Sequence, residues 1–282
     1  MHLRRILTQH PVAAYFAITF AISWTGAFLV ASPYLLTHRD LPKLTAILMF
    51  PAMLLGPSIA SFVLTPIIDG KDGVRLLLSR MFRVRFPVRW YAVLLLPPLF
   101  VLTVLLILKT LISPSYAPNF FGLGILFGVP AGYLEEIGWT GYAFPKMRSP
   151  QNALGPSVFL GLLWSAWHLP VINFLGTATP HGSYWFPFFL VFTVAMTAMR
   201  VLISWAYSNT DSVFLSQLMH ISSTGTLVIF SAPRVTPVQE VIWYGVYALT
   251  LWIAVTIVVM VLGKPLCPTP FYSFARGQSG GI

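Results

Sequence analysis

Eight apolar runs, each about as long as a bilayer is thick, follow one another along the chain with short polar breaks between them. An α-helix rises about 1.5 Å per residue, so roughly 20 apolar residues cross a hydrocarbon core about 30 Å thick. In lipid every backbone N–H and C=O must find its partner inside the protein, and for continuous apolar runs the helix is the element that achieves this. The expected fold class is all-α: a polytopic integral membrane protein with about eight transmembrane helices. The runs cover roughly residues 11–36, 44–68, 90–112, 120–144, 154–175, 184–207, 213–230 and 238–262. Residues 1–262 read as one transmembrane helical domain, and the Pro/Gly/Ser-rich stretch 263–282 as a poorly ordered tail.

Charge follows the same logic. Only 9% of the residues are charged and 57% are hydrophobic, against about 25% charged in soluble domains. The net charge of +10 reads as membrane-loop bias and contact with anionic lipid, not as nucleic-acid binding. An even number of spans puts both ends of the chain on one side. Of the 17 Lys and Arg, thirteen fall on that side and four (Arg39, Lys43, Lys109, Arg234) on the other. The positive-inside bias then places both termini in the cytoplasm and the protein in the cell (plasma) membrane. The most basic segment, 69–89, carries Lys71, Arg75, Arg80, Arg83, Arg85 and Arg89 interleaved with Leu76, Leu77, Leu78, Met81 and Phe82. It reads as an amphipathic stretch on the membrane surface, with anionic lipid as the expected partner of residues 71–89. The single Cys267 excludes an intrachain disulfide.

Against this background two residues stand out. Of the 7 Asp and Glu, only Glu135 and Glu136 fall well inside an apolar run. A carboxylate at membrane depth costs several kcal/mol and marks a functional site by default. No Lys or Arg shares their span, although Arg200 on the sixth could reach them. Two further spans carry unusual polar residues: Trp164 and His168 on the fifth, His220 and Thr224 on the seventh. Within each pair the spacing is i, i+4, which puts both side chains on one helical face. At 1.5 Å per residue the carboxylates lie roughly 15 Å from the cytoplasmic end of their span, His168 roughly 20 Å and His220 roughly 11 Å. The three motifs are therefore expected to meet in one cavity open to the cytoplasm. Glu135 and Glu136 diverge by about 100° around the helix, so one of them faces the cavity and the other a neighbouring helix.

A carboxylate in an apolar pocket can take a proton from water, a histidine can share that water or bind a metal, and a second histidine with a hydroxyl can stabilise an oxyanion. The set suits hydrolysis of a carbonyl compound.

These residues resemble the CAAX protease and bacteriocin-processing (CPBP) family of intramembrane metalloproteases, which includes the type II CAAX prenyl endopeptidases. The family pattern is Glu-Glu-x-x-x-Arg, then Phe-x-x-x-His, then His-x-x-x-Asn, each on its own helix. Here Glu135-Glu136 match the first motif, Trp164 and His168 the second, and His220 and Thr224 the third. Thr140 stands where the family usually has Arg, Trp164 replaces Phe and Thr224 replaces Asn. The resemblance implies an endopeptidase that cleaves a peptide or membrane-protein substrate near the cytoplasmic leaflet. Glu135 would activate water with His168, His220 and Thr224 would stabilise the oxyanion, and Glu136 would support them. Glu135, His168 and His220 could also bind Zn2+, and a metal-free mechanism is equally drawable.

Two other readings stay open on the residues alone. Thr140 and Thr224 fit a catalytically silent protein that gives immunity to a bacteriocin or scaffolds another membrane protein. A cation-coupled transporter would use the same carboxylates, but no internal repeat accompanies them.

Overall fold

The computed structural model describes residues 2–37, 39, 41–172, 181–232 and 234–266. Cys267 and the expected disordered tail beyond Leu266 lie outside the described residues. Those residues form helices joined by short turns, with one isolated β-bridge between Ser149 and Asn152. In chain order the helices are α1 (His2–Gln9), α2 (Pro11–Leu35), α3 (Lys43–Ile68), α4 (Gly70–Met81), α5 (Leu96–Leu111), α6 (Ile125–Gly138), α7 (Phe144–Met147), α8 (Leu154–Trp167), α9 (Trp185–Thr210), α10 (Val213–Ile229) and α11 (Pro237–Leu262). A 3-10 stretch, Val88–Leu95, leads into α5, and a π-helical turn, Trp139–Ala143, joins α6 to α7.

Every expected span corresponds to one of these helices or helix pairs. Five segments are long and apolar enough to cross a membrane: Pro11–Leu35, Ile47–Ile68, Val88–Leu111, Gly182–Thr210 and Pro237–Leu262. Exposed Leu29, Phe62, Leu106, Phe186, Leu249 and Met260 give these helices an outward apolar face suited to lipid. The other three, α6, α8 and α10, are shorter, at 14, 14 and 17 residues. All three carry the candidate site. Irregular backbone at membrane depth survives only where protein surrounds it, and the breaks that shorten α6 and α8 are interior. Pro170 lacks an N–H for the Ala166 carbonyl and its ring crowds that turn, so α8 ends at Trp167 with His168 as its C-cap.

Close backbone approach sets which helices meet. A Cβ on Gly132 would lie 2.6 Å from the Ile221 nitrogen and 2.7 Å from the Gln217 carbonyl oxygen, so α6 and α10 touch backbone to backbone there. Gly161 does the same for α8 against Thr197 of α9. Hydroxyls add polar bonds: Ser58 and Ser61 of α3 donate to the Leu134 and Ile137 carbonyls of α6. On the termini side, α4 buries Leu77 and Met81 and is pinned by Arg80, 3.0 Å from Asp211. Asp211 ends α9 in the left-handed conformation, at φ 51°.

Candidate active site

Glu135 and Glu136 both sit at 0% exposure, and their surroundings differ sharply. Glu136 has no capacity to spare. Arg200 reaches it from α9 with two parallel bonds, Nη2 to Oε1 at 2.6 Å and Nη1 to Oε2 at 2.8 Å. The Thr140 hydroxyl, one turn on in the π segment, donates to Oε2, and Arg200 Nη1 donates to Thr140 Oγ1 at 3.2 Å. His220 Nδ1–H donates to Oε1 at 2.8 Å. The guanidinium also lies over the Trp164 ring, 4.6 Å from its centroid. Two charges removed from water are tolerable only with this degree of mutual satisfaction.

Glu135 is held on one oxygen alone. The indole N–H groups of Trp139 and Trp164 donate to Oε2 at 3.1 and 2.7 Å. Oε1 is buried with no hydrogen-bond partner among the described residues. A lone carboxylate oxygen without a partner is costly unless something else occupies it in function. Glu135 lines a cavity of about 370 Å³ together with His168, His220 and Thr224. The structure thus brings together all the expected site residues, with Glu136 behind the wall and the other four in it.

The tautomers follow from the hydrogen bonds. His168 Nδ1–H donates to the Trp164 carbonyl at 2.8 Å, and His220 Nδ1–H to the Glu136 carboxylate. Both rings therefore keep Nε2 as the remaining lone pair, and each is oriented by a second partner as metal-binding or basic histidines commonly are. Glu135 Oε1 and two Nε2 atoms are a donor set that zinc accepts. Among the described residues no three His, Cys, Asp or Glu side chains are already gathered closely enough to hold a metal ion. The donor chemistry fits zinc, while the present spacing is that of groups arranged around a shared space.

The cavity runs toward the end of the bundle opposite α1 and Leu266, so the side of the membrane that it faces depends on the side that α1 occupies. Below the mid-depth cluster its wall comes from the first turns of α3, α6, α9 and α11 and the last turns of α10, with Val171 and Ile172 just past α8. On the termini side the interior is filled by the Glu136–Arg200–Thr140 cluster and by buried Trp139, Tyr142 and Phe144. Depth along a helix places a residue but says nothing of which end is plugged. With the termini in the cytoplasm, cleavage near the cytoplasmic leaflet does not follow from this geometry.

Residues that sequence spacing did not assign to the site are Trp139, which clamps Glu135, and His181 with Glu240, which line the far part of the cavity. Trp139 stands four residues after Glu135, so helical spacing could have found it. His181 and Glu240 are 59 residues apart with no linking pattern. Arg200, weighed as a partner on charge alone, proves to be one.

Comparison with known proteins adds an independent result. Residues 117–226, which span α6 to most of α10, match the family described as Rce1-like, type II CAAX prenyl endopeptidase. The chain is also 28% identical over 225 residues to CAAX prenyl protease 2 of Methanococcus maripaludis, an alignment covering 73% of this chain and 78% of that protein. Both findings agree with the resemblance carried by the three motifs.

Proposed function

We propose, on the premise that this chain is related to the type II CAAX prenyl endopeptidases, that it is an intramembrane endopeptidase in which Glu135 activates the attacking water. The observation that carries this reading is the division of labour between the two carboxylates. Glu136 is fully engaged by Arg200, Thr140 and His220, whereas Glu135 keeps one oxygen without a partner and lines a cavity together with two imidazoles.

A water in that space gives one proton to Glu135 Oε1 while His168 Nε2 accepts its second hydrogen as a hydrogen bond. The resulting hydroxide attacks the scissile carbonyl. The Thr224 hydroxyl donates to the oxyanion, and His220, its ring held by the Glu136 carboxylate at Nδ1, stands beside it in the cavity wall. Glu135 then returns its proton to the leaving amine, so the cycle closes on the starting state. A zinc ion held by Glu135, His168 and His220 would lower the pKa of a bound water and polarise the carbonyl.

The apolar wall, including Phe50, Phe127, Ile172, Phe188 and Leu227, supports a membrane-borne or strongly apolar peptide as substrate. The surplus of Lys and Arg supports termini in the cytoplasm of a cell membrane, and the cavity then serves the opposite leaflet. Lys71, Arg75, Arg85 and Arg89 are exposed beside exposed Leu76, Leu78 and Phe82, a combination that suits anionic lipid headgroups at the termini face.

The test is cleavage of an apolar peptide library by the purified protein beside Glu135→Gln and His168→Ala. Losing a general base lowers the rate about 10² to 10⁴-fold. Equal cleavage by all three proteins would reject the reading, and cleavage by none of them would favour a catalytically silent membrane protein.

A further inference from the structure

Outside the mid-depth cluster, the charged or imidazole groups lining the cavity among the described residues are His181 and Glu240. They form a built unit. His181 Nε2–H donates to Glu240 Oε2 at 2.8 Å, and the imidazole lies flat on Phe188, with centroids 4.1 Å apart and planes 15° from parallel. Glu240 stands in the first turn of α11, which a reciprocal capping pair of Thr236 and Gln239 fixes. His181 is 5% exposed, and its Nδ1 is buried without a hydrogen-bond partner among the described residues.

Because Nε2 keeps its hydrogen to donate to Glu240, Nδ1 is left as an acceptor whose direction is set by the stacked ring. An unpaired acceptor in an apolar wall is costly. A peptide in the same space has the complementary problem: each of its amide N–H groups needs an acceptor once water is excluded. We propose that His181, oriented by Glu240, is a substrate-binding residue whose Nδ1 accepts a backbone N–H of the bound peptide between the scissile bond and the cavity mouth. The inference rests on the endopeptidase reading for what the ligand is. It adds a second polar anchor, which would hold an otherwise apolar peptide in register over Glu135.

Binding separates the two ideas. The full-length Glu135→Gln protein in nanodiscs is titrated with a fluorescein-labelled peptide that has a central run of Val, Ile, Leu and Phe between polar ends. Adding His181→Phe, which keeps the stack on Phe188, is expected to weaken binding about three- to tenfold, the worth of one hydrogen bond. His181→Asn, which returns an amide near the Nδ1 position, is expected to restore part of it. N-methylation of one peptide amide should cost the His-bearing protein the same factor and cost the His181→Phe protein nothing further. Unchanged affinity in His181→Phe, or equal losses for every N-methylated peptide on both proteins, would overturn the proposal, as would absence of binding. If binding behaves as expected but the unsubstituted protein cleaves no peptide, the endopeptidase reading fails and this one stands. Cleavage by a protein whose affinity ignores His181 gives the reverse.

Discussion

Arg200 of α9 and Glu136 of α6, 64 residues apart in the chain, face each other through two parallel hydrogen bonds in a place neither shares with water. The pair ties the carboxylate helix to the helix against which α8 packs, so the site's three carriers converge on it. Removing one partner leaves the other charge buried without its counter-ion, which costs about 3–5 kcal/mol. Arg200→Met and Glu136→Gln are each expected to unfold at markedly lower denaturant in detergent. The double variant should lose less than the sum. Additive losses would show that the two groups do not depend on each other.

Thr140 occupies the position where the Glu-Glu-x-x-x-Arg pattern expects Arg, and here a guanidinium arrives from α9 and donates to Thr140 itself. Glu136 thus meets a cation carried by a different helix. Thr140→Arg combined with Arg200→Ala is expected to recover part of the stability that Arg200→Ala loses, read as a rise in unfolding midpoint. A double variant no better than Arg200→Ala would mean that the position of the charge, and not its presence, is what Glu136 needs.

Trp139 and Trp164 hold Glu135 by one oxygen and so decide which oxygen is free. Trp→Phe at either position keeps most of the ring and removes the donor. Each is expected to lower kcat about tenfold, near the value of one hydrogen bond to a charged group, with KM little changed. A rise in KM at constant kcat would assign the indoles to substrate contact instead.

Gly132 lets α6 and α10 touch. Even Ala there inserts a methyl between two backbones, and a destabilisation of about 1–3 kcal/mol is expected. Gly122 is the control, since a Cβ there meets only Phe120, at 3.7 Å. Gly122→Ala should stay within about 0.5 kcal/mol. Equal effects at the two sites would argue against backbone contact between α6 and α10.

Ser183, near the cavity mouth, and Arg75, on α4, lie at opposite ends of the bundle. In a Cys267→Ser background, Ser183→Cys is expected to react with a membrane-impermeant maleimide in intact cells, and Arg75→Cys only after permeabilisation. The opposite pattern would place the cavity on the cytoplasmic face and the termini outside.

Much of this protein was legible from its residues because lipid is an unforgiving solvent. Apolar run length dictates helices, and the rarity of charge makes Glu135, Glu136 and Arg200 conspicuous wherever they fall. Helical periodicity paired Trp164 with His168 and His220 with Thr224, and would have paired Glu135 with Trp139 too. Those are properties of short stretches, set by local geometry and by the cost of exposing polar groups to hydrocarbon.

The unequal surroundings of the two carboxylates are a property of the tertiary structure. Their 100° divergence says that they point apart, but only the positions of Arg200, His220 and the two indoles leave Glu136 saturated and Glu135 with a free oxygen. The direction of the cavity is likewise a property of packing, because a helix lists its residues in order of depth and carries no record of which end its neighbours fill. The meeting of His181 with Glu240 depends on how α11 lies against the start of α9, a contact between chain segments that no sequence period connects.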